Sequence, residues 1–161
     1  MKIKYFICLL MAAAVFCGCA GDDVNEIFTG KKWHWSNSYT TADWENDNKD
    51  TGRLLSLDEL KDVSKSTEAY NLMFNDDGTL QGVGKNFQFS AKWEADGKKN
   101  TFALSQVRVT QGNPSSKLDS MFYASVKNAC YYRGNSILWI KLFNSERNEY
   151  KMFSNNDYFE K

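Results

Sequence analysis

Proline occurs once and histidine once in the 161 residues of this chain. A lone histidine, His34, leaves zinc clusters and Ser-His-Asp or Cys-His triads with little support, so no catalytic residue, metal site or cofactor is predicted. Neither charge is in excess, with 20 Lys plus Arg against 20 Asp plus Glu. The basic face of a nucleic-acid binder is therefore missing. One Pro and ten Gly exclude collagen-like and low-complexity chains. The sequence also lacks an apolar run of the ~20 residues that a spanning helix needs. What it does have is 42% hydrophobic and 15% aromatic residues, enough for the packed core of one domain.

The N-terminus carries an address. Lys2 and Lys4 precede the 11-residue uncharged run Phe6 to Phe16, a length suited to the core of a signal peptide. Phe16-Cys17-Gly18-Cys19 follows and resembles the lipobox of bacterial lipoproteins, with Gly18 before the cleavage point and Cys19 as the lipidated residue. Asp22 and Asp23, just beyond, resemble the surface-export signal of Bacteroidetes-type lipoproteins. These matches imply a signal peptide over 1–18, a lipidated, acidic tether over 19–27 and a single domain over 28–161. They also imply an outer-membrane lipoprotein at the cell surface, with the lipid as its only membrane contact. Removing 1–18 leaves 18 basic against 20 acidic groups, and Cys130 as the one cysteine besides Cys19. An intramolecular disulfide is not expected.

The mature chain reads as β-rich. Lys31 to Thr41 alternates, with Trp33, Trp35, Asn37 and Tyr39 on one face and His34, Ser36 and Ser38 on the other. Ala42 to Gly52 is polar and turn-forming, an expected exposed loop carrying Trp44. Ser56 and Glu59 have capping-box spacing, and Leu57, Leu60 and Val63 continue it as a short helix. Strands are predicted over Tyr70–Phe74 and Thr79–Val83 around the turn Asn75-Asp76-Asp77-Gly78, then over Asn86–Glu94 and Thr101–Thr110. A phase change near Ser105-Gln106 predicts a bulge. From Ser116 to Ala129 the apolar residues Leu118, Met121, Phe122, Val126 and Ala129 form a one-sided helical stripe. Strands over Ile137–Phe143 and Glu149–Phe153 close the chain.

This order resembles the META domain of HslJ-like bacterial envelope proteins. The resemblance is carried by Gly30-Lys31-Lys32-Trp33, by Leu72 to Gly78, by Gly82 to Asn86, and by Phe122 to Leu142 with Tyr132, Gly134, Asn135 and Leu138. It implies a small antiparallel sheet or partly open barrel packed against one C-terminal-half helix, with one additional short helix. It also implies a role in envelope stress or protein contact. Lipocalin-like envelope domains share the G-x-W and F-x-x-D-G features and are the alternative, closing an up-and-down barrel around a cavity.

The expected function is a non-catalytic binding or structural role at the envelope, with an envelope protein or a glycan as partner and the chain acting as a monomer. The alternative is a module for a glycan or a small apolar ligand, with Trp44 and Tyr39 as contact residues. Trp33 and Trp35 are expected in the core, His34 solvated or hydrogen-bonded, and Cys130 buried as a small hydrophobe.

Overall fold

The computed structural model describes residues 22–134 and 137–156. Cys19 and the signal segment lie outside them. The first described element corrects the expected tether. Asp22–Phe28 is a helix, α1, that opens on Asp22 and Asp23. Its Val24 and Phe28 are buried in the core. The Phe28 ring packs on Phe74 and Tyr132, each with centroids 4.9 Å away.

Nine antiparallel strands follow: β1 (Lys32–Thr41), β2 (Asp50–Arg53), β3 (Asn71–Phe74), β4 (Thr79–Val83), β5 (Phe87–Asp96), β6 (Thr101–Gly112), β7 (Tyr131–Gly134), β8 (Trp139–Phe143) and β9 (Glu149–Asn155). Two further helices are α2 (Leu57–Lys65) and α3 (Lys117–Lys127). From β3 to β9 each strand pairs with the next, and β9 returns to β1, so the sheet closes into a ring. β3 and β2 pair with opposite ends of β1, at Lys32–His34 and Tyr39–Thr41. The ring is thinnest between β6 and β7, which share the single register pair Thr101 and Tyr131.

The interior is filled by rings, as a small barrel requires. Phe28, Phe74, Trp93, Phe102 and Tyr132 occupy one part, and Trp35, Tyr70, Phe87, Phe89, Phe122 and Phe153 another. The helical stripe behaves as its 3.6-residue spacing predicts. Phe122 and Val126 are fully buried, and Leu118 and Met121 pack against the core. Ser116 caps α3 by accepting from Asp119 N at 3.0 Å. Asp119, also fully buried, accepts from Lys85 N at 2.7 Å and Asn86 Nδ2 at 2.9 Å. These bonds clamp the start of α3 to the β4–β5 turn. Gly84 permits the approach: a Cβ there would lie 2.1 Å from the Phe87 ring and 2.7 Å from Asp119 Oδ1.

Other local expectations meet their physical reasons here. Both bonds of the capping box at Ser56 and Glu59 are present. Yet Leu57 is 66% exposed, because only Val63 and Leu60 of that helix face the core. The bulge falls at Gln106, whose φ is +51°, where the β5–β6 register shifts. A further irregularity lies between Trp35 and Asn37 of β1, where the sequence shows only alternation. It ends the simple alternation: Trp35 Nε1 donates to Asn37 O and Ser38 Oγ, both at 3.0 Å. Ser38 is thereby fully buried and Tyr39 turns away from the tryptophan face. His34 is buried rather than solvated, its Nδ1 3.0 Å from Asn71 Oδ1 and its Nε2 3.1 Å from Val63 O. Cys130 is free and only partly buried.

Candidate functional site

The two predicted contact residues sit on the outer wall, apart from each other. Tyr39 packs on Tyr150 with ring centroids 5.5 Å apart, and its hydroxyl accepts from Asn37 Nδ2 at 2.8 Å. Tyr150 packs on Phe143 at 5.0 Å, and Phe143 packs on Trp44 at 5.6 Å. Trp44 is half-buried rather than freely exposed. The Arg147 guanidinium lies over both Trp44 and Tyr131, 5.0 and 4.8 Å from their centroids. A ring face occupied by Arg147 is not open to a sugar, so this cluster does not present the flat platform that sugar stacking needs.

The cluster instead holds the 42–50 segment against β7, β8 and β9. Asp47 Oδ1 receives Arg133 Nη1 at 2.6 Å and Lys141 Nζ at 2.9 Å. Burial alone would raise the Asp47 carboxyl, but hydrogen bonds from Lys141 and Arg133 outweigh it and hold the group below its ordinary value. Tyr150 donates to Asp50 Oδ2 at 2.7 Å. Burial, reinforced by that bond to a carboxylate, pushes the phenol well above its ordinary value. The polar 42–52 sequence conceals this role, because its partners are almost a hundred residues away.

A cleft of about 390 Å³ lies on the other side of β8 and β9, where α3 crosses them. Leu54, Met121, Ala124 and Leu142 supply its apolar wall, with Asn128 and Asn144 also lining it. α3 is held there by the burial of Phe122 and Val126 below it. Leu142 and Lys151 are direct cross-strand partners, so both project to this side of the hairpin. Lys151 is only 8% exposed. Burial pushes its amine below the ordinary lysine value, partly countered by the charge of Glu149. Sequence reading missed Lys151 altogether. The alternation in Glu149–Phe153 pairs it in phase with Phe153, a signal that it faces inward.

Two further hollows lie elsewhere on the surface. One of about 560 Å³ runs between the 65–69 segment and the β4–β5 turn, lined by the exposed Lys65, Glu68, Lys85 and Gln111. Another of about 280 Å³ lies beside Gln81 and Arg108. Among the described residues no group of three or more His, Cys, Asp or Glu is placed to hold a metal ion. Among the same residues no helix is long and apolar enough to cross a membrane.

Fold and site together define a closed antiparallel β domain, filled by aromatic side chains and flanked by a helix-bounded cleft. The chain belongs to the domain of unknown function DUF4847, whose family model matches residues 20–155. It is similar to a DUF4847 family protein from Bacteroides vulgatus ATCC 8482, whose crystal structure superimposes with a TM-score of 0.65 at 25% identity. That match covers 83% of this chain and 97% of the other. No protein with a curated description matches. These findings replace the META resemblance. The matched span also begins at residue 20, in keeping with α1 as part of the domain.

Proposed function

We propose that this protein is a lipid-anchored envelope protein with a non-catalytic binding function, taking a small ligand in the cleft between α3 and the β8–β9 hairpin. Lipid on Cys19 holds it to the outer membrane, and Asp22 and Asp23 direct it to the cell surface. The observation that carries the ligand reading is the cleft itself. A void of about 390 Å³ with an apolar wall persists beside an interior otherwise filled with rings. That volume lies within the ~300–1,000 Å³ typical of small-molecule sites. The non-catalytic part of the reading is supported by His34, the one histidine, which is buried against Asn71 Oδ1 and Val63 O and so faces neither a nucleophile nor the cleft.

A panel of small amphiphiles tests the ligand reading by thermal shift, because a ligand bound only by the folded state raises Tm by mass action. Ala124→Trp fills the cleft from an exposed helix position and costs at most about 0.7 kcal/mol in helix propensity. At least one compound should stabilise the wild type and not Ala124→Trp. Equal shifts in both proteins, or none in either, contradict the reading. For the anchor, Cys19→Ala should release the protein from membranes; continued sedimentation after a high-salt wash contradicts lipidation. Replacing Asp22 and Asp23 by Ala should reduce access of external protease, and unchanged access contradicts surface export.

A further inference from the structure

The β8–β9 hairpin buries two lysines, one on each side, and they are treated differently. Lys141, 5% exposed on the outer wall, lies 2.9 Å from Asp47 Oδ1 and 4.5 Å from the Tyr150 ring centroid. Lys151, 8% exposed on the cleft side, has no carboxylate within ion-pair distance and no hydrogen bond from its amine among the described residues. The acid that acts on it most is Glu149, two residues earlier on its own strand and exposed at the edge of the cleft. α3, its C-cap Asn128 and β8 bring no charged group to the lining; they contribute Met121, Ala124, Ser125, Asn128 and Leu142. Ser125 cannot serve as a free donor, since its hydroxyl already donates to Met121 O at 2.5 Å.

The Lys151 amine keeps some contact with water, since no buried side-chain nitrogen among the described residues lacks a partner. Yet a cation so poorly hydrated and without an ion pair gains from a carboxylate placed beside it. We propose that the cleft binds a small amphiphilic monocarboxylate, with its apolar body against Leu54, Met121, Ala124 and Leu142 and its carboxylate on Lys151 Nζ. This assignment rests on the cleft-binding reading above and adds the ligand class. The charged groups of the lining are Lys151 and, at the edge, Glu149, so a ligand with a single negative charge meets Lys151 with the least repulsion from Glu149. A phosphate dianion would bring more charge than the lining offsets, and no arginine fork lines the cleft to hold it. The apolar wall gives a bare inorganic anion nothing to pack against, so a hydrocarbon or aryl body is part of the class.

The test uses the full chain carrying Cys19→Ala, which removes the lipid without touching the described fold, and three probes of equal length: octanoate, 1-octanol and octylamine. In calorimetric titrations octanoate should bind at least tenfold more tightly than octanol, and octylamine more weakly still. Lys151→Met should weaken octanoate at least tenfold while leaving octanol unchanged, and Lys151→Arg should retain most of the octanoate affinity. Octanoate and octanol binding equally, with Lys151→Met silent, overturns the carboxylate assignment and leaves the cleft reading standing. Should Lys151→Met fail to fold, the wild-type ranking of the three probes decides the class by itself. If none of the three binds, or if Ala124→Trp binds octanoate as the wild type does, the assignment falls together with the cleft reading.

Discussion

Lys141 Nζ stands 2.9 Å from Asp47 Oδ1, the same oxygen that Arg133 Nη1 reaches at 2.6 Å. One carboxylate from the 42–50 segment thus bridges two cations on neighbouring strands of the outer wall. Asp47→Ala leaves the buried Lys141 without its counter-charge and should destabilise by about 1–3 kcal/mol, discounted because Asp47 itself is half exposed. The folded-state carboxyl titrates below its ordinary 3.8, so its contribution is complete above 3.8 and is lost as pH falls from there through the lowered value. Urea midpoints at pH 7 and at a pH below 3.8 should differ more for the wild type than for Asp47→Ala. Parallel midpoints would remove Asp47 from this role.

Phe122 is fully buried among Trp35, Tyr70, Phe87, Phe89 and Phe153. Phe122→Ala should therefore cost about 3–5 kcal/mol, transfer and cavity effects together. Because a domain this size has about 5–15 kcal/mol in all, Tm should fall steeply. Wild-type melting would mean that α3 is peripheral, and the cleft wall it supplies would lose its support.

Lys117 does not project freely into solvent. Its Nζ lies 2.6 Å from Glu59 Oε1 and ties α3 to α2. The hydrogen bond from Lys117, then those from Ser56, hold the Glu59 carboxyl down at about 2. The pair's contribution is present above the ordinary 4.5 and disappears as pH falls toward 2. Lys117 is largely exposed, so Lys117→Ala should cost only about 0–1 kcal/mol at pH 7. It should also flatten the pH dependence of unfolding below 4.5. An unchanged acid limb in the variant would show that this bridge is not formed in solution.

Lys151 should leave a pH signature of the same sign, but in the alkaline range. Burial lowers its folded-state pKa below 10.5, so between that lowered value and 10.5 the unfolded chain binds more protons. Stability attributable to this group therefore rises with pH across that window. Lys151→Met removes the desolvation penalty and should stabilise the ligand-free protein at pH 7 by on the order of 1 kcal/mol. It should also abolish the alkaline rise. Destabilisation at pH 7 would show that the amine has a partner in solution.

Local features were legible from sequence. Asn75 to Gly78 forms its turn with Gly78 at φ +78°, the bulge falls at Gln106, and the α3 stripe buries as its spacing requires. Features set by register between distant strands were not. The irregularity after Trp35 moves Tyr39 to the outer wall, and Trp44 is covered by Arg147 from a turn a hundred residues later. Most of α1 falls in the 19–27 span that reads as tether, because so short a segment gives too little pattern to show that Val24 reaches the core. The META resemblance failed for a related reason. A tryptophan at the entry strand and an F-x-x-D-G hairpin are what many small closed sheets need, so they mark an architecture rather than a family.

Met121 lines the cleft, whereas Met73 is exposed on β3 and Met152 lies on the outer side of β9 as the partner of Lys141. Methyl-labelled methionine spectra recorded during an octanoate titration therefore report on the central claim most directly. The Met121 resonance should move saturably while Met73 and Met152 stay in place, and Ala124→Trp should abolish the movement. An unmoved Met121 at saturating octanoate, or equal movement of all three methyls, would contradict a ligand site between α3 and the β8–β9 hairpin.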